Sequence, residues 1–261
     1  MDPLAIQAFY ASLRLTSSYP ENVLATARLT VAQGYASLGK PVDRGTFPFA
    51  TTAVNAVYNP QMNSVTIFAG IQQFPIYDRN FPAYLLYGSM GSITGHELTH
   101  GFDNQGRHFD ASGNFTVWWD EKSIQQFRSR SDCFVDQYSR FTVSSPNGTA
   151  IPVSGNRTLG ENIADAGGLA LSFGAWRRWE DERKREDERL PGLEQFSNAQ
   201  LFFLKYAQTW CSIVPPEAAV DLIRTDAHSP AFARILGPVA NSRDFREAFH
   251  CPVKEPTCEL W

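Results

Sequence analysis

Apolar positions recur at helical intervals along most of the chain. In residues 1–40 they fall at Leu4, Ala8 and Leu13, then at Val23, Ala27 and Val31, so this stretch reads as mostly helical. Thr52–Tyr58 and Asn63–Ala69 instead gather β-branched and aromatic residues on either side of Asn59-Pro60, the pattern of two short strands joined as a hairpin. Tyr84–Asp103 returns to a helical period, and Asn104–Trp119, rich in Gly, Asn and aromatic residues, reads as a loop. Further helices are expected at about Asp120–Tyr138, Asn162–Arg189, Ser197–Cys211, Pro216–Arg224 and Ser242–Phe249. Lys40-Pro41 to Pro48 reads as a connector, Pro191-Gly192 stops the longest helix, and no internal repeat is present. The pattern predicts a mainly α fold with a small β-sheet (α+β).

Composition fits that picture. With 261 residues, 43% hydrophobic and 19% charged, the chain is an ordinary globular protein of one large domain or two small ones. No apolar run approaches the ~20 residues of a transmembrane helix. The start, Met1-Asp2-Pro3-Leu4-Ala5, has neither the basic nor the apolar region of a signal peptide. A net charge of −4 argues against a nucleic-acid partner bound through a broad basic face. Charge is concentrated in Arg177–Arg189, where twelve residues carry six charges of each sign. Pairs such as Glu180–Lys184 and Asp181–Arg185 suit a solvated helix. Three sequons, at Asn114, Asn147 and Asn156, suit a secreted protein. The four cysteines, Cys133, Cys211, Cys251 and Cys258, form no C-x-x-C pair. Export features thus stand beside an N-terminus without an export signal.

The chemistry lies in Gly95-His96-Glu97-Leu98-Thr99-His100. On a helix, His96 and His100 project from one face and can hold one Zn²⁺. Glu97 lies beside them, within reach of a water at the metal's open position. Zinc brings the pKa of such a water towards neutrality, and a carboxylate can take its proton. A peptidase-type zinc needs a third protein ligand. The metzincin pattern fails, because the tenth residue after His96 is Gly106 and His108 falls two positions late. His228 and His250 are distant and lie in loop-like or terminal settings. Glu161 remains a candidate: it opens a helix whose Ala/Leu/Gly-rich continuation reads as buried, where a carboxylate needs a partner. Asp165, one turn on, and Asp103, three residues after His100, are placed to accept ring N–H groups and fix the imidazole tautomers.

Several segments together resemble the neprilysin/endothelin-converting enzyme family of zinc metallopeptidases. They are Val54-Asn55-Ala56-Val57-Tyr58, the run GHELTHGFDNQGRHFDASGN from Gly95 to Asn114, Trp118-Trp119, GENIADAGG from Gly160 and RTDAHSPAFARILG from Arg224. The C-terminal cysteines, Cys251 and Cys258, fit as well. The resemblance runs from about Lys40 to Trp261. It implies a thermolysin-like zincin catalytic lobe over 41–261, within a single catalytic domain 1–261 whose residues 1–40 are a helical lead-in.

The resemblance implies one zinc held by His96, His100 and Glu161, with Glu97 as general base and Asp103 and Asp165 orienting the histidines. It makes His228 the donor to the developing oxyanion and Arg234 the donor to a substrate carbonyl. Asn55 and Ala56 would pair with the substrate backbone, and Ile71, Ile76 and Trp210 would line an apolar pocket for the residue after the scissile bond. By themselves His228 is a lone loop histidine, Arg234 a surface cation, and the three apolar residues core material. The resemblance also implies a Cys133–Cys258 disulfide, with the partners of Cys211 and Cys251 outside this chain.

Two departures bear on selectivity: Phe47 stands where the family has Trp, and Ile76 where it has an aromatic residue. Family members are membrane-anchored or secreted and more than twice this length. The resemblance therefore implies an extracellular or cell-surface setting, peptide substrates, and a chain covalently continuous with an N-terminal half. The expected activity is that of a zinc metalloendopeptidase. The contrasting reading is a zinc-binding fragment or short paralogue, incompetent without its substrate-enclosing half.

Overall fold

The computed structural model describes residues 3–42, 44, 52–183, 189–252, 255 and 257–260. These form two units, Met1–Thr46 and Phe47–Trp261. The first contains α1 (Pro3–Phe9) and α2 (Tyr19–Ala36), and the latter starts with Pro20 in its first turn. The helices expected over 1–40 are present, and the apolar positions Leu4, Val23 and Val31 on them are exposed. Phe47 and the pairs Glu180–Lys184 and Asp181–Arg185 involve positions outside the described residues.

The second unit is mostly helical, with two small antiparallel sheets. The expected hairpin is β1 (Ala56–Asn59) paired with β2 (Ser64–Ile67), Ala56 opposite Ile67. The segment Tyr84–Asp103 follows as a near-continuous helical run. It comprises α3 (Ala83–Leu86), a π turn over Tyr87–Gly91, α4 (Ser92–Thr99) and a 3-10 turn over His100–Phe102. Then come α5 (Glu121–Tyr138), capped by Asp120 Oδ1 accepting from Ser123 N–H, and a second hairpin, β3 (Thr142–Ser144) with β4 (Ala150–Pro152). The chain continues through α6 (Leu159–Arg183), α7 (Asn198–Thr209), α8 (Pro216–Thr225), α9 (Ala231–Ala240) and α10 (Arg243–Ala248). Among the described residues no helix is long and apolar enough to cross a membrane.

Helix α6 is the axis of this unit. Ile163, Ala164, Gly167, Gly168, Leu169, Phe173 and Trp176 along it are all buried. One side packs on α7 through an aromatic core that includes Tyr84, Trp176, Phe202 and Phe203. Another meets α5 and α9, where Phe134, Tyr138 and Ala233 are essentially inaccessible. The third lies against α4, and there the helices approach so closely that a side chain does not fit. A Cβ on Gly95 would meet the Gly168 carbonyl, and one on Gly168 would meet the Ser92 carbonyl and His96 amide. This contact matters because α4 and α6 carry the candidate ligands.

Candidate metal centre

The i,i+4 spacing of His96 and His100 does bring both rings to one point, with His100 at the C-terminal edge of α4. Their Nε2 atoms are 3.0 Å apart. From the first turn of α6, Glu161 directs Oε2 to the same place, 3.2 Å from His96 Nε2 and 3.5 Å from His100 Nε2. Each ring is backed by a carboxylate. His96 Nδ1 lies 2.8 Å from Asp165 Oδ1, and His100 Nδ1 lies 2.6 Å from Asp103 Oδ2. Asp103 is itself fixed, since its other oxygen accepts from the N–H groups of Gln105 and Gly106. Carboxylates beside both Nδ1 atoms favour that nitrogen as the N–H of the neutral ring, which leaves Nε2 of each ring as the atom able to bind a metal at the common point. Glu161 Oε2 is buried and makes no hydrogen bond of normal geometry. Two Nε2 atoms and a carboxylate oxygen meeting within 3.5 Å of one another are an arrangement that one cation can bridge. The set of two imidazoles and one carboxylate suits zinc, with a position left open.

Electrostatics tell the same story. Burial disfavours charge on both histidines, yet Asp165 and Glu161 hold the His96 pKa above its ordinary value. Asp103 and Glu161 push that of His100 up to about 10. Burial works against ionisation of Glu161, but the three surrounding histidines hold its carboxyl far below the usual range. Glu97, 6% exposed, is pushed the other way, because burial raises its pKa and the neighbouring histidines only partly offset this.

The remaining expected residues gather round one cavity of about 510 Å³ that His96, Glu97, His100 and Glu161 line. Asn55, Ala56, Ile71, Ile76, Trp210, His228 and Arg234 all border it. Just before β1 the Asn55 carbonyl accepts from the Phe68 N–H, just after β2, which makes that pair hydrogen-bonded and turns the polar groups of Ala56 towards the opposite edge, where its N–H donates to Asn55 Oδ1 at 2.9 Å. No strand pairs with that edge among the described residues. Ile71 and Ile76 pack with Ala56 and Ile93 as an apolar wall. His228 Nε2 stands 3.2 Å from Glu161 Oε2. The Cys133–Cys258 bond is formed, while Cys211 and Cys251 are free. Asn114, Asn147 and Asn156 are exposed.

Several partners were not anticipated. Asp226 Oδ1 accepts from the His228 backbone N–H at 2.9 Å and lies 2.8 Å from its Nδ1, a D-x-H turn visible as spacing. Ser229 donates to Asn162 Oδ1 at 2.7 Å, which pins this loop to the start of α6 beside Glu161. Arg234, expected to serve substrate, donates from Nε and Nη2 to both oxygens of Asp165, each at 2.8 Å. Its guanidinium lies over Trp210, 3.7 Å from the ring centroid. No local signal links residues 69 positions apart.

The fold built round α4 and α6 thus brings two histidines from one helix and a carboxylate from the other into a group that could hold one metal ion. The comparisons specify it further. Peptidase family M13 matches residues 55–259, and the chain belongs to that family. It is 39% identical to an endothelin-converting enzyme homolog of Locusta migratoria, covering 100% of this chain and 36% of the relative. It is 40% identical to neprilysin-3 of Drosophila melanogaster, covering 100% of this chain and 33% of the relative. Among solved structures it superposes on Mycobacterium tuberculosis zinc metalloprotease Zmp1 in complex with inhibitor, with TM-score 0.81 and 30% identity over 92% of this chain and 36% of that one. PepO from Lactobacillus rhamnosis HN001 gives TM-score 0.79 and 28% identity over 97% and 37%. The chain thus spans about a third of the length of these relatives.

Proposed function

We propose that this chain is the catalytic portion of a zinc metalloendopeptidase acting on small peptides. The carrying observation is the convergence of His96 Nε2, His100 Nε2 and the buried Glu161 Oε2 on one point of an open cavity. These three residues would hold one zinc. When bound, zinc supplies a Lewis acid that polarises the scissile carbonyl and acidifies water at the open position.

The chain's own groups do the rest. Glu97, whose pKa burial raises, is a strengthened base that takes a proton from the attacking water and returns it to the departing amine. The contact with Glu161 raises the His228 pKa against the effect of burial, and with Nδ1 occupied by Asp226 the ring offers Nε2–H to the developing oxyanion. Asp103 and Asp165 fix the ligand tautomers, and Arg234 uses its remaining N–H groups on a substrate carbonyl. The open edge of β1 at Asn55 and Ala56 aligns the peptide backbone as an added strand. Ile71, Ile76 and Trp210 select a hydrophobic residue after the scissile bond.

We assign these roles to the lobe 41–261, which contains every residue that lines this cavity. A disulfide and three exposed sequons favour an oxidising, extracellular or cell-surface setting. Metal analysis of the wild type and Glu161→Gln tests the assignment. One zinc per wild-type chain is expected, with affinity falling at least ~100-fold in the variant and peptide hydrolysis lost with it. Hydrolysis that survives complete removal of metal would contradict it.

A further inference from the structure

Helix α9 carries a proline in its interior: Pro238 is inside Ala231–Ala240. Proline has no N–H to give to the carbonyl four residues back, so that carbonyl is left without its helical partner. Here it belongs to Arg234. It is not left bare, because the Tyr206 hydroxyl on α7 donates to it at 2.8 Å. Tyr206 is 1% exposed, so its hydroxyl has no solvent to turn to. The same helix reaches Arg234 a second time, through Trp210 at its C-terminal cap, one turn beyond Tyr206, whose ring lies against the guanidinium. One helix thereby fixes Arg234 at both backbone and head group. From there the contacts run on: the guanidinium grips both oxygens of Asp165, and Asp165 lies 2.8 Å from His96 Nδ1.

We propose that Tyr206 is a positioning residue whose hydroxyl replaces the amide that Pro238 lacks and so sets Arg234, and through Arg234 and Asp165 the ring of His96. A helix containing a proline next to a site residue would ordinarily leave that residue's carbonyl free to shift towards other donors. A buried hydroxyl that meets the carbonyl removes that freedom, while an aromatic ring without the hydroxyl would fill the same volume and leave the carbonyl unsatisfied. The link to His96 rests on the metal-centre reading above; the exchange of hydroxyl for amide does not.

The two residues are therefore coupled in a way that packing alone does not produce. Y206F, P238A and the double variant are made in the full-length protein. Zinc affinity is measured by competition with a chromophoric chelator, and thermal midpoints are measured without metal. Y206F is expected to weaken zinc binding about threefold to tenfold, less than loss of a ligand's direct carboxylate partner. It should also lower the metal-free midpoint by several degrees. P238A restores an N–H to the helix, so alone it should stay within about twofold of wild type in zinc affinity, and in the double variant it should recover most of both losses. A double variant as impaired as Y206F overturns the proposal, as does a Y206F protein indistinguishable from wild type. If Y206F does not fold, a folded double variant supports the proposal and an unfolded one overturns it. Should wild type bind no zinc, the metal-centre reading fails and the link to His96 with it. The midpoints then still decide the Tyr206–Pro238 exchange.

Discussion

At the scale of single residues, the centre is a contest between burial and neighbouring charge, and that contest has a thermodynamic signature. The metal-free pKa of His100 lies at about 10 rather than near 6.5. At pH 7.5 the metal-free ring therefore carries a proton that zinc must displace. Titration of zinc into metal-free protein at pH 7.5, in buffers of different ionisation enthalpy, should show heats that depend on the buffer, corresponding to release of at least one proton. The sign also fixes the pH dependence: zinc affinity should climb as pH rises towards about 10, because protons compete less for the ligand nitrogen. Heats identical in all buffers would contradict this. The convergence of His96 and His100 was legible beforehand because i,i+4 is a local relation that the helix converts directly into geometry. The Asp165–Arg234 pair was not legible, since it joins α6 to α9 across 69 residues and depends on how those helices pack.

At the scale of elements, function depends on how close α4 comes to α6. Gly168→Ala places a methyl group against the His96 amide and the Ser92 carbonyl, where only backbone can yield. It should destabilise the protein by about 1–3 kcal/mol and weaken zinc binding at the same time, because the two ligand-bearing helices are forced apart. Gly174→Ala, on the same helix with nothing within 4 Å, should be neutral or slightly stabilising and leave zinc affinity unchanged. Chemical denaturation and chelator competition on both variants check the contrast. The long helices showed in the sequence because their apolar faces repeat over several turns. Two elements did not. The hairpin β3–β4 has strands of three residues each, too short to show an alternation, round a polar turn. Helix α9 is written with Gly237-Pro238 near its end, a pair that signals a break, and the structure keeps it helical with a side-chain hydroxyl in place of the missing bond. The expected single helix over Tyr84–Asp103 is also interrupted by a π turn, where Gly88 and Gly91 pack against Phe202 and Ser172. That kind of local under-winding depends on tertiary packing and leaves no period to read.

At the scale of the whole molecule, the described residues of 47–261 enclose a complete set of candidate ligands, base and oxyanion donor round one cavity. The Cys133–Cys258 bond spans 125 positions and ties α5 to the C-terminal tail, so that α6, α7 and α9 all lie within its loop. Replacing both cysteines by serine should lower stability by about 2–5 kcal/mol through the larger entropy of the unfolded chain, with zinc affinity nearly unchanged. Equal thermal midpoints for the two proteins would refute that. The account's central claim concerns Glu97, buried beside the ligands with its pKa raised. It is tested most directly by the rate at which zinc-loaded Glu97→Gln protein cleaves an internally quenched peptide. The account predicts one zinc per chain, as in wild type, with cleavage slower by about 10²–10⁴-fold. Cleavage at the wild-type rate by the zinc-loaded variant would contradict it.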